Sequence, residues 1–86
     1  MAVEDGKSTE MIYIDLPADL NFEDDRGRNI ARLADAVTPE TVTPGTVLVA
    51  GAPEAWSWAA VEAVEDGLVY FHQVSAGEAA RRGPSQ

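Results

Sequence analysis

The chain has 86 residues, with 15 acidic and 6 basic side chains, a formal net charge of −9, 45% hydrophobic residues and no cysteine. That length provides one small domain with one core. The missing cysteine excludes disulfides, thiolate metal sites and cysteine nucleophiles, and the acidity opposes phosphate backbones, whose affinity depends on Lys and Arg releasing counterions.

Direct nucleic-acid binding is therefore not expected. No apolar run approaches the ~18 residues that span a bilayer, and Met1 to Glu10 lacks the apolar stretch of a secretory signal. A cytoplasmic protein with no membrane contact is the expectation. The charge is uneven: residues 1–25 hold eight of the acids (Glu4, Asp5, Glu10, Asp15, Asp19, Glu23, Asp24, Asp25) and one base, Lys7. An acidic first quarter is joined to a nearly balanced remainder.

Residues 1–10, "MAVEDGKSTE", are charged and small and bury too little apolar surface to offset ordering entropy, so they are expected to be mobile. The single β-rich domain is expected over 11–83, with 84–86 as a tail. "MIYIDL" alternates Met11, Tyr13 and Asp15 with Ile12, Ile14 and Leu16, a strand pattern stopped by Pro17. "PADLNFEDDRG" is expected to be a loop pinned by its two large apolar side chains, Leu20 and Phe22, with its acids in water.

In "RNIARLADAV", Ile30, Leu33, Ala34 and Val37 fall at i, i+3, i+4 and i+7, which predicts a short helix over 28–37 with Asp25 as a cap. The proline-rich "TPETVTPG" predicts extended residues and a turn at Pro44-Gly45. "TVLVA", bounded by Gly45 and Gly51, is a buried strand, and "GAPEA" a turn.

"WSWAAVEAV" and "LVYFHQV" flank Glu65-Asp66-Gly67 and predict the dominant hairpin, 57–74, with a three-residue loop. Opposing Val64 to Leu68 pairs Ala63 with Val69, Glu62 with Tyr70, Val61 with Phe71, Ala60 with His72 and Trp58 with Val74. One face then carries Ala59, Val61, Ala63, Val69 and Phe71, the expected core. The other carries Trp58, Ala60, Glu62, Val64, Leu68, Tyr70, His72 and Val74. "SAGEAARRG" has Ser75 and Glu78 in capping-box spacing and arginines in its last turn, which predicts a helix over 76–82.

These elements define a mainly β, α+β fold: a small antiparallel sheet that resembles an SH3-like partial barrel. That likeness is one of architecture and implies no function.

Catalytic motifs are missing. There is no phosphate-binding glycine loop, nucleophile elbow or metalloprotease helix motif, and a Ser-His-Asp triad has only His72 to draw on. A non-enzymatic protein without a cofactor is expected. One histidine and no cysteine make zinc improbable, and Glu23-Asp24-Asp25 lacks the spacing of a calcium loop. His72 shares a face with Glu62, and a nearby carboxylate favours the charged imidazole, so a modest pH dependence is expected there.

Trp56, Trp58 and Tyr70 either close one end of the core or form an exposed aromatic patch, the kind of anchor interfaces favour. The expected function is a protein-protein interaction module. Trp56, Trp58, Glu62, Tyr70 and His72 would bind a partner, or a second copy of the chain, and the acidic charge would steer the protein toward a basic surface. The alternative is an acidic inhibitor, antitoxin-like, that presents carboxylates where phosphates sit and blocks a basic groove.

Overall fold

Both residues of the turn Asp66-Gly67 have positive φ, 53° and 79°. A two-residue mirror-image turn needs this, and its twist matches that of the strands it joins. In the computed structural model, which describes residues 13–82, this turn connects two antiparallel strands, β4 (Ala55–Glu65) and β5 (Leu68–Val74). The mobile segment expected at 1–10, Met11 and Ile12 of the first expected strand, and the tail at 84–86 lie outside the described residues.

The hairpin differs from expectation beside its turn. Glu65 is not a loop residue but pairs with Leu68, followed by Val64 with Val69 and Ala63 with Tyr70. Farther along, Val61 opposes Phe71, Ala60 opposes His72 and Trp58 opposes Val74, as the sequence predicts. The two registers are reconciled at Glu62, an extra residue between Val61 and Ala63 that has no cross-strand partner. Such a bulge exchanges the faces of the residues beyond it. Val64 therefore packs on the core in place of Ala63, and Ala63 joins Tyr70 on the other side.

The rest of the sheet is hung on this hairpin. β3 (Val47–Ala52) returns antiparallel to β4 through Pro53-Glu54. β2 (Asn29–Arg32) pairs antiparallel with β5, and β1 (Leu16–Pro17) lies parallel to β3. The order is β1-β3-β4-β5-β2, and among the described residues these make a curled five-strand half-barrel with short 3-10 turns and one helix. This is the α+β, SH3-like partial barrel that the sequence predicts. Residues 33–37 tie its two edges together: the Leu33 N–H donates to the Gly67 carbonyl (2.8 Å) and the Val37 N–H to the Asp15 carbonyl (3.0 Å).

The helix expected over 28–37 is absent, and Asp25 caps nothing there. Asn29 to Arg32 form β2, and Leu33–Asp35 make one 3-10 turn. All four β2 residues pair with the open edge of β5, and this ladder outweighs the weak helical preference of so short a segment. The apolar stripe that suggested a helix is also not the buried one. Asn29 and Ala31 are buried, whereas Ala34 and Val37 are exposed.

Two further expectations change. Of the strand expected in "MIYIDL", Tyr13 to Asp15 are not strand; β1 is only Leu16 and Pro17, and it ends at the proline, which an edge strand tolerates. Phe22 is 55% exposed and does not pin its loop; Leu20 alone packs against the core.

The main core is the concave face: Leu16, Ala31, Leu48, Ala50, Ala59, Val61, Val69 and Phe71, covered by Ala36 and Val42. A second layer lies on the opposite face. There α1 (Ala76–Arg82) packs against β4, and Val47, Val49, Ala60 and Ala79 are buried apart from the main cluster. The Ser75 Oγ accepts the Glu78 N–H (3.1 Å), and Arg82 pairs with Glu78 (3.0 Å) across one helical turn. Among the described residues no helix is long and apolar enough to cross a membrane.

Gly51 holds the β1–β3–β4 junction. Its φ is +124°, and a Cβ there would meet the Ala55 carbonyl oxygen and the Trp56 Cα, both under 3.0 Å. Gly67 has φ +79° but open space around it. Gly51→Ala should cost about 2–4 kcal/mol, combining backbone strain with a clash, and Gly67→Ala about 1 kcal/mol, from strain alone. Urea unfolding of the two variants checks the difference.

Candidate functional site

Alternation along β4 and β5 places Trp56, Trp58 and Ala60, with Tyr70 and His72, on the convex face opposite the main core. The five predicted residues do share this face, but as a strip rather than a pocket. Trp56 sits near the Pro53-Glu54 turn, opposite Gly51, and is 39% exposed. Trp58 is half-buried between Val49 and Val74 on the neighbouring strands. From Trp56 to Glu62 the strand runs about 20 Å, so the first tryptophan and the carboxylate cannot touch one small group together.

At the other end of the strip the residues converge. The bulge leaves Glu62 without a partner of its own, and its Oε2 lies 2.8 Å from the His72 Nδ1. Both side chains remain partly open to water, at 41% and 38%. The next ring along β5 is Tyr70, half-buried, with the Arg28 guanidinium carbon 4.5 Å from its centroid. This cation–π contact is worth about 0.5–1 kcal/mol at a partly exposed site.

Arg28 is a residue that sequence reasoning passes over. Its Nη2 and Nε both lie 2.9 Å from Asp24 Oδ2, while Asp24 Oδ1 accepts the backbone N–H groups of Arg26 (2.9 Å) and Arg28 (2.8 Å). Asp24 thus closes the turn and clamps the arginine onto Tyr70. Desolvation works against the Asp24 carboxylate, but the backbone N–H groups of Arg28 and Arg26, the Arg28 side-chain hydrogen bond and its charge outweigh it. The carboxyl is held below its usual range. The local signal was present in "DDRGR", where Asp24 three residues before Gly27 marks a turn with a side-chain acceptor at its first position. Its contact with Tyr70, 42 positions later, has no sequence signal.

The loop is held in place from below. Asn29, 2% exposed, donates from Nδ2 to the carbonyls of Leu20 and Phe22 (3.0 Å each), and its Oδ1 accepts from Gln73 (3.3 Å). With the loop so fixed, an open groove of about 630 Å³ lies beside Tyr70. Phe22, Ile30 and Glu65 line it together with the Glu23–Arg26 turn and Arg28. Charged groups predominate there. Among the described residues no three His, Cys, Asp or Glu side chains converge as a metal ion would require. What the face offers chemically is hydrogen-bond acceptors beside aromatic rings.

Comparison with protein-family models, with curated proteins and with solved structures gives no match for this chain.

Two outcomes test this construction. Asn29→Ala should cost about 1–3 kcal/mol, because the Leu20 and Phe22 carbonyls lose the Nδ2 donor and Gln73 loses its acceptor, and denaturant unfolding measures it. The lowered Asp24 carboxyl contributes stability above its unfolded value and loses it as pH falls through the lower folded value. Exchange protection of the Arg26 and Arg28 amides should therefore fall below about pH 4 in the wild type. In Asp24→Asn it should be weak at every pH.

Proposed function

We propose that this chain is a non-enzymatic interaction module that binds a protein partner, or a second copy of itself, through the convex face of its hairpin. Trp56, Trp58, Glu62, Tyr70 and His72 carry the contact. The observation behind this reading is that large aromatic side chains stay half-exposed on a rigid sheet face that the main core does not use. Rings held by strands present contact area with little entropy left to lose, and Trp and Tyr dominate measured interfaces for that reason.

The net charge of −9 favours encounter with a basic surface and raises the on-rate rather than the final affinity. A cysteine-free, acidic chain suits a reducing, cytoplasmic setting. The groove beside Tyr70 extends the face by one element, so Arg28 and Phe22 become part of its rim.

The test is capture on the immobilised full chain, comparing wild type with Trp56→Ser and Tyr70→Ser, each confirmed as folded by its amide spectrum. Both variants should weaken capture of the specific partner by roughly thirtyfold, while Glu40→Gln, an exposed acid in a 3-10 turn, should leave it unchanged. Equal capture by all four proteins would overturn the assignment. Capture that vanishes in high salt whichever aromatic residue is present would point to charge alone, as in an acidic inhibitor.

A further inference from the structure

Within the strip, the Glu62–His72 pair has a chemistry that narrows what it can receive. An ionised carboxylate only accepts hydrogen bonds, so at 2.8 Å from Glu62 Oε2 the His72 Nδ1 is the nitrogen that carries hydrogen. This leaves Glu62 Oε1 without a partner among the described residues, and in the neutral ring the His72 Nε2 is a second acceptor. Both groups are about two-fifths exposed. With the imidazole neutral, the exposed valences of the pair are both acceptors, and their complement is a donor.

The neighbours sharpen the choice. Tyr70 is two residues along β5 from His72, and Trp58 lies diagonally across β4, so the pair sits between two ring systems on one face. Rings attract cations through their faces, and planar guanidinium both stacks on them and forks toward two acceptors. The molecule already uses this combination once: Arg28 stacks on Tyr70 while its fork is taken by Asp24. The net charge of −9 supplies the long-range complement.

We infer that Glu62 and His72 form an arginine-receiving subsite, in which a guanidinium from the protein partner is bound by Glu62 Oε1 and by the Nε2 of the neutral His72 ring, on the Trp58 side of the Arg28–Tyr70 stack. His72 is also a positioning residue, since its Nδ1–H fixes the Glu62 carboxylate against rotation. Glu62 belongs to no ladder pair, so the bulge leaves its carboxylate free to take this orientation. This inference rests on the interaction reading above and names the chemistry of the partner at that same face.

The probe is the capped peptide Gly-Arg-Gly, titrated into the full chain and followed by NMR, with the capped peptide Gly-citrulline-Gly as a neutral isostere of the same shape. The arginine peptide should shift the His72 ring nitrogens and the Tyr70 and Ala60 amides, and the citrulline peptide should bind at least tenfold more weakly. Glu62→Gln should reduce arginine-peptide affinity about tenfold, the loss of one charge-assisted contact, and Glu40→Gln less than twofold. His72→Gln, which retains a donor for Glu62, should keep more affinity than His72→Ala.

Equal binding of the two peptides, equal losses in Glu62→Gln and Glu40→Gln, or shifts spread over every acidic stretch would each overturn the subsite. If the subsite fails while Trp56→Ser and Tyr70→Ser still abolish partner capture, the interaction reading stands with a different ligand chemistry. If capture is untouched by those variants while the arginine peptide binds at His72, the subsite stands and the wider face falls.

Discussion

Positive φ at both Asp66 and Gly67 is the constraint on which the other strands depend. A two-residue mirror-image turn allows only one register for the strands it joins. That register opposes Val64 to Val69, and the bulge at Glu62 then returns the ladder to Val61 opposite Phe71. With that register and no bulge, Glu62 would oppose Phe71 on the core face and Val61 would turn outward. The bulge leaves Glu62 unpaired, so one local irregularity both fills the core and frees a carboxylate on the opposite face.

A second dependence runs through Asn29. This residue is buried in a strand that otherwise carries alanine inward, and its amide has a partner on each side. A buried polar group with its hydrogen bonds complete fixes geometry more than it adds net stability. Here it fixes the acidic loop over the edge of the sheet. Asp24 then organises its own turn and holds Arg28 on Tyr70. The loop borders the aromatic face because of this chain of contacts, and Phe22 stands outward at its rim instead of closing the core.

The two faces of the sheet are treated differently. The concave face buries Phe71, Val69 and Leu16 completely and is closed by the segment that crosses from β2 to β1. Among the described residues the convex face is covered chiefly over β4, by α1, a helix of seven residues. Beyond that cover, aromatic and polar side chains remain half in water. In a chain of this size one short helix cannot cover a whole sheet face, and outside it Trp56, Glu62, Tyr70 and His72 stay partly or fully exposed among the described residues.

The sequence by itself determined the elements whose signals are local. The hairpin, the "TVLVA" strand, the Pro44-Gly45 turn and the helix at 76–82 follow from alternation, turn residues and capping, all carried within a few positions. It also determined that Trp56, Trp58, Tyr70 and His72 share a face, since that requires only period-two geometry and the register far from the turn. Only the tertiary structure decided the rest. Whether 28–37 is helix or strand turned on the free edge of β5, a partner about 40 residues away in the chain. Which of Ala63 and Val64 faces inward turned on a one-residue bulge that alternation cannot reveal. The clamp of Arg28 on Tyr70 and the support of the loop by Asn29 are contacts between distant segments, and they exist because the curled sheet brings those segments together.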